Sequence, residues 1–536
     1  MIPIKPIQPG VPIQGLPSEA HVIVGATTSQ TAFIDCFQRG PLGEARSVSG
    51  AAEFERTYGG QDVRSEASYQ IPQFFLNGGS VALVVRVAPG DAEAASVNLS
   101  AASATSTVQE SRLSASATNP GSWGNTLRVA VSAPPGPGVG FSLTVQETAP
   151  AVGVISTETF ADLSLDAKSA KYCVGVVNAS SELVRLTDLG DGFAGPFLFA
   201  PENPPAALAW QALQGGLDGV WDGTKEELSN ALISEVTAGT ASLSTLAPNS
   251  FNVLCLPATA TLDDTAARNV MLAAQQYCEV SRAFYLIDIP DSGQIPDPQT
   301  MVAWLAAHRD TLRYDIAAMY YPRLKIGDAL NGGSPREVAS SGTIAGLYAS
   351  VDRARGVWKA PAGIDCALTG AAPVYTLQDA ESGLLNPVGI NAIRTFPDYG
   401  VVSWGSRTLQ GTDESANEWK YIPVRRTALY LEDSLTAGLA WVVFEPNAPQ
   451  LWSAIVLSVD AFLNGLYRRG AFQGVTANEA YFVRCDSSTT TQAEVDQGLV
   501  NVVVGFAPLK PAEFVILQIQ QHAACPPSLE DVKADA

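Results

Sequence analysis

The alternation of strand and helix patterns in residues 250–323 restricts the fold of this chain more than any other feature. The apolar runs FNVLCLP, AFYLIDIP and IAAMYYP are separated by TAARNVMLAAQQYCEVS and TMVAWLAAHRDTL, which have the length of helices. Strands that alternate with helices in this way favour a parallel sheet covered by helices. The sequence therefore predicts a βαβαβ unit, and we assign an α/β domain to residues 246–335.

Asp288 is the residue of this unit that could support chemistry, because it ends the second predicted strand, where open α/β sheets bind ligands. No glycine fingerprint accompanies it. The chain has three histidines and contains no HExxH, GxSxG or Walker A motif. The sequence therefore predicts no catalytic, cofactor or metal site. A structural role for Asp288 is favoured, and an α/β enzyme with a site near Asp288 is the alternative.

Composition restricts the partners. The formal net charge of −21 disfavours nucleic acid, because binding to phosphates requires clustered Lys and Arg. Only 16% of the residues are charged, which is below the usual fraction and suggests that part of the surface is buried against other chains. Seven scattered cysteines without CxxC spacing indicate neither a disulfide framework nor a zinc site.

The sequence has no recognisable export or membrane signal. Residues 1–15 are interrupted by prolines, and no run of about 18 apolar residues occurs. We therefore expect assembly in the cytoplasm, without direct membrane insertion. A surface-layer or other secreted shell protein is disfavoured for the same reason.

Residues 91–245 differ in composition from their surroundings. They are rich in Ser, Thr, Ala and Val, and short alternating runs such as TLRVAVSA, FSLTVQET and YCVGVVNA are separated by turns. Alternation with a period of two is typical of half-buried strands. We therefore expect an inserted β-rich domain here.

Both ends of the chain read as extended segments without obvious partners. Residues 1–19 contain five prolines, which prevent a helix, and Val11 and Ile13 alternate with polar or proline positions. Near the other end, in residues 509–536, EFVILQIQ forms an apolar strand pattern. An apolar strand without a partner favours pairing with another chain. The residues predicted for such pairing are Val11, Ile13, Phe514, Val515, Ile516, Leu517 and Ile519. A disordered terminus is the alternative for residues 1–19.

A long amphipathic helix is predicted after Asn447, which is a favourable helix cap. Its apolar face comprises Leu451, Trp452, Ile455, Val456, Val459, Phe462, Leu463 and Leu466. Arg468 and Arg469 follow at its carboxyl end, where cations interact favourably with the helix dipole. Further on, Thr491 and Glu494 form a capping-box pattern. LVNVVVGF at 499–506 reads as a buried strand.

Several separated blocks carry a family resemblance. GVPIQGLPS at 10–18, FFLNGGSVALVVRV at 74–87, NPGSWGNTLRV at 119–129 and WVVFEPN at 441–447 occur in this order, followed by YFVRCD, TTTQAEVDQG and PLKPAEFVILQI. Together they closely resemble the contractile tail sheath proteins, which form the outer sleeve of bacteriophage tails, R-type bacteriocins and related injection systems. The resemblance does not distinguish among these three machines.

The resemblance implies an α+β and α/β multidomain fold. In this family a conserved inner sheath domain is built from both chain ends, here residues 20–90 and 336–508. The β-rich and α/β segments between them form an inserted outer region. The terminal arms at 1–19 and 509–536 are expected to exchange strands with neighbouring subunits.

The resemblance also implies a function. Sheath subunits assemble as hexameric rings stacked helically around an inner tube, and contraction drives the tube through a target envelope. The expected partners are other copies of the chain, the inner tube, and baseplate and terminal cap proteins, all within a phage tail or injection particle. By resemblance, Arg468 and Arg469 are possible tube contacts, and a simple helix C-cap is the alternative for them.

Overall fold

Twenty strands and twelve α-helices form the described part of the chain. The computed structural model describes residues 21–101, 110–132, 140–149, 152–189, 210–221, 225–237, 243, 251–290, 297–312, 314–414 and 417–513. The strands are β1 (Thr31–Cys36), β2 (Ala45–Val48), β3 (Ala82–Val87), β4 (Ser96–Ala101), β5 (Glu110–Ala117), β6 (Leu127–Ser132), β7 (Phe141–Ala149), β8 (Gly153–Leu163), β9 (Val184–Asp188), β10 (Gln211–Ala212), β11 (Val253–Cys255), β12 (Phe284–Ile287), β13 (Ala317–Tyr321), β14 (Leu324–Asp328), β15 (Ser334–Val338), β16 (Ala372–Pro373), β17 (Ile390–Phe396), β18 (Gly400–Trp404), β19 (Tyr481–Arg484) and β20 (Val503–Phe506).

The helices are α1 (Ala51–Tyr58), α2 (Glu66–Leu76), α3 (Cys173–Ser180), α4 (Glu226–Glu235), α5 (Asp264–Ser281), α6 (Pro298–His308), α7 (Ser341–Arg355), α8 (Asp379–Leu385), α9 (Ile422–Gly438), α10 (Pro449–Arg468), α11 (Ala477–Ala480) and α12 (Gln492–Asp496). Three apolar clusters divide these elements. The largest cluster, between Ala32 and Leu429, defines the α/β domain, which thus extends beyond residues 246–335. The cluster within residues 94–213 defines the β domain, and the cluster around α9 to α12 defines the carboxyl-terminal domain.

The α/β domain is built on an eight-stranded sheet with the order β18-β17-β13-β12-β11-β1-β3-β2. The strands from β3 to β17 in this order are parallel, and β2 and β18 add to the edges in antiparallel orientation. β11, α5, β12, α6 and β13 form the βαβαβ unit that the sequence predicts. Strands β1 and β3 are buried along their whole length and mostly apolar, as is typical of parallel sheets covered on both faces.

This sheet joins segments that the sequence analysis placed in different domains. β1 pairs with β11 along Thr31↔Val253, and β13 pairs with β17 along Met319↔Ile390. Residues 31–87, 253–321 and 390–404 therefore share one sheet. Local patterns identify each strand, but they do not identify its neighbour, because the pairing depends on contacts between distant segments.

Helices α2 and α7 pack in very close contact, which the glycines of α7 make possible. A Cβ atom at Gly346 would overlap the backbone carbonyl oxygen of Phe74, and one at Gly342 would lie 2.7 Å from the carbonyl oxygen of Gln70. Both contacts are with main-chain atoms, which cannot rotate away. The short distance between the two helices therefore depends on the absence of side chains at these positions.

We expect Gly346→Ala to destabilise the fold by roughly 1–3 kcal/mol, because the added methyl group forces the two helices apart. Chemical denaturation of the purified protein measures this effect. Gly383→Ala is the matched control, since Gly383 also lies in a helix and a Cβ atom there meets nothing within 4 Å. Equal stability of the two variants would contradict the close packing of α2 and α7.

The β domain lies within residues 94–213 and contains a three-stranded sheet, β4-β5-β9, and a four-stranded sheet, β10-β6-β7-β8. TLRVAVSA and FSLTVQET form β6 and β7, as predicted. The prediction for YCVGVVNA is wrong, because this segment forms helix α3. Cys173 and Val177 are its buried residues, and they lie four positions apart, on one face of a helix.

The carboxyl-terminal domain comprises α9 to α12, the hairpin β19–β20 and the segment 21–26, which packs on α9 and α10. The predicted apolar face of α10 is confirmed in its central positions, since Leu451, Ile455, Val459, Leu463 and Leu466 are buried. Asn447 does not cap this helix. The helix begins at Pro449, and the Asn447 side chain instead accepts a hydrogen bond from Trp452 Nε1 and donates one to the Leu499 carbonyl.

Two further predictions in this domain have different outcomes. The capping box is confirmed, because the Thr491 and Glu494 side chains each bond the other residue's backbone N–H. The interpretation of 499–506 as a buried strand is wrong in its burial, since Leu499 is 49% and Val503 45% exposed. Strand β20 belongs to a two-stranded sheet with one half-open side, whereas a continuous apolar run had suggested burial on both faces.

Candidate assembly surface

The predicted strand-exchange residues Val11 and Ile13, and the set Phe514, Val515, Ile516, Leu517 and Ile519, lie outside the described residues. The structure does describe the points where both terminal segments join the carboxyl-terminal domain. These points are residues 21–26 and residues 507–513. They fix where each arm begins.

The amino-terminal segment is held by an aromatic stack and two hydrogen bonds to helix side chains. The His21 ring stacks on Trp441 with 3.9 Å between the ring centroids. The His21 backbone N–H donates to Ser458 Oγ at 3.1 Å, and the Ala26 N–H donates to Ser434 Oγ at 2.9 Å. The segment therefore crosses α10 and α9 in a defined position.

Close packing reinforces this attachment. Ile23 is buried, and a Cβ atom at Gly438 of α9 would lie only 2.5 Å from Ile23 Cγ2. A Cβ atom at Gly25 would overlap the Tyr430 hydroxyl. Valines 22 and 24 point outward and are exposed, as expected for an extended segment with side chains on alternating sides.

The carboxyl-terminal segment ends in a buried ion pair. Arg407 is 1% exposed, and its Nε and Nη2 atoms donate to the two carboxylate oxygens of Glu513 at 2.8 and 2.6 Å. Arg407 Nη1 also donates to Asp413 at 2.9 Å. Bidentate arginine–carboxylate pairs are among the stronger charge-assisted interactions. Glu513, the last described residue, is thus fixed to the α/β domain.

The hairpin β19–β20 lies in the carboxyl-terminal domain, to which residues 21–26 also attach. Its register runs from Tyr481↔Phe506 to Arg484↔Val503. Within the described residues its sheet has two strands, and Phe482 and Val503 remain about half exposed. One face of the hairpin packs on the carboxyl-terminal core, and its open sheet edge is a template for a further strand. This hairpin therefore has the geometry of a strand acceptor.

Arg468 and Arg469 lie at the carboxyl end of α10, as predicted, and both are exposed. The Arg469 N–H donates to the Leu466 carbonyl at 3.0 Å, and its guanidinium lies 5.3 Å from the centroid of the Trp358 ring. Arg469 is therefore partly engaged within the chain, whereas Arg468 extends from the helix end. A tube contact by these two residues stays a prediction.

A cavity of about 810 Å³ opens beside Arg469. Its wall includes Trp358, Trp404 and Pro387, and Leu509 and Glu513 of the carboxyl-terminal segment also line it. Trp404 is 41% exposed, which is unusual for so large an apolar side chain. The cavity therefore presents aromatic surface to solvent at the edge of the α/β domain.

Asp288, the residue of the alternative enzymatic interpretation, accepts hydrogen bonds at the start of helix α7. It is buried, and its carboxylate accepts the N–H groups of Ser340 and Ser341 at 3.1 and 3.0 Å, at the start of α7. Burial raises its pKa to about 6. It does not line the cavity beside Arg469. The carboxylate serves the amino terminus of α7, where negative charge is favourable.

The raised pKa gives a test of this role. The pKa of Asp288 in the folded state, about 6, exceeds the ordinary aspartate pKa of 3.8, so the folded protein binds the proton more tightly than the unfolded chain. Wild type should lose roughly 3 kcal/mol of stability relative to Asp288→Asn as pH rises from about 4 to above 6. Urea denaturation at several pH values measures the difference.

The amide of the variant keeps an acceptor oxygen for α7 but carries no charge. Asp35, whose pKa burial raises to about 7, is present in both proteins and cancels in the comparison. A stability difference that does not change with pH would show that Asp288 is ionised with equal ease in both states.

The described residues contain neither a cluster of metal ligands nor a membrane-spanning helix. No group of three His, Cys, Asp or Glu residues there lies close enough together to hold a metal ion. In the same part of the chain, none of the helices combines the length and apolar character needed to span a bilayer.

Sequence reasoning missed the two anchors. The partners Arg407 and Glu513 are separated by 106 positions, and His21 is far from Trp441 in the chain. Neither pair has a local pattern that would mark it. The only available signal was that Glu513 and Trp441 fall within the PLKPAEFVILQI and WVVFEPN blocks that carry the family resemblance.

Comparison with known proteins relates the carboxyl-terminal domain to a family of structural proteins. Residues 414–522 match the family model of the phage tail sheath C-terminal domain. This stretch contains α9 to α12, the hairpin and Glu513. No curated protein sequence matches the chain.

Solved sheath structures match over almost the whole length. The PVC sheath complex of an extracellular contractile injection system, in the contracted state, is 20% identical, with a TM-score of 0.54 over 97% of this chain and 99% of that one. The contracted helical sheath of the anti-feeding prophage is 21% identical, with a TM-score of 0.56 over 97% and 100%. The sheath tail protein from Listeria innocua is 12% identical, with a TM-score of 0.59 over 91% and 96%.

The resemblance that the ordered sequence blocks predict is thus confirmed. Both the family model and the structural neighbours belong to phage tails and contractile injection systems. The chain has the mixed α/β multidomain fold of contractile sheath proteins and carries, within residues 414–522, the phage tail sheath C-terminal domain.

Proposed function

We propose that this protein is the structural subunit of a contractile sheath. Subunits polymerise as hexameric rings stacked helically around an inner tube, and contraction drives the tube through a target envelope. The observation that carries the proposal is that the amino-terminal segment attaches to the carboxyl-terminal domain, which also holds an open-edged hairpin, while Glu513 of the other segment is bonded to Arg407 of the α/β domain.

The subunits connect by strand exchange. Residues 1–19 and the strand pattern at 513–520 are the donors, and the hairpin β19–β20 is the acceptor. Strand addition relies on main-chain hydrogen bonds, which depend little on side chains. Such a connection persists while neighbouring subunits rotate, so the lattice stays continuous during contraction.

The anchors described above transmit force from the arms into the folded domains. Tension on the amino-terminal arm reaches α9 and α10 through Ile23 and the stack of His21 on Trp441. Tension on the other arm reaches the α/β domain through Glu513 and Arg407. An aromatic stack and a bidentate ion pair both resist sliding better than a single hydrogen bond does.

We propose further that the carboxyl-terminal domain faces the tube, and that the β domain faces outward. Arg468 at the end of α10 then meets acidic groups on the tube, in a contact that weakens with salt. One structural neighbour is part of the anti-feeding prophage baseplate, and we assign baseplate and terminal cap proteins to this chain as further partners. Assembly takes place in the cytoplasm, and the protein acts mechanically, without an enzymatic step.

Electron microscopy of negatively stained samples tests the proposal. The protein is expressed alone and together with a candidate tube protein from the same genome. Hollow striated cylinders with six-fold end views are the expected result, and co-expression should give longer cylinders that enclose a tube. Monodisperse globular particles under both conditions would overturn the proposal.

A further inference from the structure

Phe444 is the most unusual exposed residue of the described chain. It lies in the loop of residues 439–448 between α9 and α10, its side chain is fully exposed, and its backbone φ is +72°. Val443 beside it is 63% exposed. A bulky residue in the left-handed region is strained, and an aromatic ring in water gains nothing from its position. Among the described residues, therefore, no contact of the ring compensates for this conformation.

The loop nevertheless holds Phe444 in a fixed position. Before it, Trp441 is stacked under His21. After it, the Glu445 N–H donates to the Val442 carbonyl at 3.1 Å, and Asn447 is bonded to both Trp452 and Leu499. The ring is thus presented on a short, rigid turn. Strained residues held by their surroundings concentrate at functional positions.

The chain also provides a cavity suited to such a ring. The 810 Å³ cavity has Trp358, Trp404 and Pro387 in its wall, and Trp404 is 41% exposed. Arg469, which lies over Trp358, adds a cation to the aromatic surface. Aromatic rings pair favourably with one another and with guanidinium groups.

The Phe444 ring, which we call the knob, and the cavity lie at opposite ends of α10. Phe444 precedes Pro449 by five positions, and Arg469, which lines the cavity, follows the last residue of the helix. A helix of 20 residues is about 30 Å long, so the ring does not reach the cavity of its own chain. A contact between the two surfaces requires two molecules. It is head-to-tail, and such contacts generate rings or helical filaments.

We propose that Phe444 of one subunit inserts into the cavity between Trp358 and Trp404 of a second copy of this chain. This proposal rests on the assembly proposed above and specifies one of its contacts. The arm attachment at His21 supports the choice of occupant, because His21 stacks on Trp441 only three positions from Phe444. The strand-exchange arm and the aromatic knob thus emerge side by side and serve one interface.

Replacing Phe444 by glycine separates assembly from folding. Glycine accepts the positive φ without strain, so Phe444→Gly should raise the melting temperature of the isolated protein slightly. Because the knob is lost, the amount of sedimentable cylinders should fall at least tenfold. Lys225→Gly is the matched control. Lys225 is also exposed with a positive φ of 61°, and glycine there should leave assembly unchanged.

Two further variants test the cavity and the ring. Gly383 lies in α8 and lines the cavity, and a Cβ atom there meets nothing within 4 Å, so Gly383→Leu adds a side chain that begins in open space. It should abolish assembly as Phe444→Gly does, with a melting temperature no lower than that of wild type. Phe444→Tyr keeps an aromatic knob and should assemble normally.

The outcomes distinguish this inference from the proposed function. If wild type forms no cylinders, the sheath assignment itself fails. If wild type forms cylinders and both Phe444→Gly and Gly383→Leu do so equally well, only the knob contact is overturned. Loss of assembly in Phe444→Gly with full assembly in Gly383→Leu would also overturn it, because the ring would then bind elsewhere.

Discussion

Deletion of residues 1–19 should abolish the formation of sheath cylinders and leave a folded monomer. The described attachment begins at His21, so the stack on Trp441 and the burial of Ile23 are retained. What is lost is the strand donated to the neighbour, and with it the main-chain hydrogen bonds that connect subunits. Electron microscopy and sedimentation measure assembly, and the melting temperature, expected within about 2 °C of wild type, reports the fold.

A pair of point variants tests whether the arm acts as a strand. Ile13→Pro removes a main-chain donor and should reduce assembly as strongly as the deletion does. Ile13→Thr keeps a β-branched residue and the donor, and should assemble nearly as well as wild type. Normal cylinders from Ile13→Pro would contradict strand exchange by this segment, whatever the deletion does.

Replacing Arg426 by alanine should produce the largest loss of stability of any single change considered. Arg426 and Asp352 are both buried, with side chains 4% and 2% exposed, and two hydrogen bonds of 2.6 and 3.0 Å join them. Arg426 also donates to the Thr28 carbonyl and lies over the Tyr348 ring. Alanine leaves a buried carboxylate without its cation, which costs about 3–5 kcal/mol.

Urea denaturation measures this loss. The double variant Arg426→Met with Asp352→Leu should recover much of it, because no charge then remains buried. Arg46→Ala is the matched surface control, since Arg46 and Glu44 are more than half exposed and such pairs contribute about 0–1 kcal/mol. A loss below about 1 kcal/mol for Arg426→Ala would mean that water reaches Asp352 in the folded protein.

The same pair explains how the domains are coupled. Asp352 lies on α7 of the α/β domain, and Arg426 lies on α9, which contributes to both the α/β and the carboxyl-terminal cores. Arg282 at the end of α5 makes a second connection, donating from Nε to Asp433 of α9 at 2.6 Å. Helix α9 is therefore tied to helices of the α/β domain by the buried pair of Arg426 and Asp352 and by the partly exposed pair of Arg282 and Asp433. Under the proposed function, it is the element that passes force between the domains.

Much of the local structure could be predicted from the sequence. The βαβαβ order, the buried face of α10 and the capping box of Thr491 and Glu494 each depend on residues within one or two helical turns or one strand. The failures also have local causes. Valine-rich YCVGVVNA fits a strand by composition, but its buried residues Cys173 and Val177 follow the helical period.

The sequence blocks also predicted the resemblance to sheath proteins that the comparisons confirm, because each block reflects a local turn, cap or strand in a fixed order along the chain. Contacts between distant segments were not accessible in this way. The pairing of β1 with β11, the capping of α7 by Asp288 and the strain at Phe444 are visible only in the structure.

By itself, the sequence determined the types of the elements and their order, since hydrogen bonding and side-chain periodicity within an element depend on neighbouring residues. The tertiary structure alone decided which strands share the large sheet, which carboxylate meets which arginine, and which surfaces stay open. Arg407 selects Glu513 across 106 positions because the packed domains bring the two side chains together and exclude water around them. Such pairing follows from three-dimensional packing, for which the one-dimensional pattern carries no signal.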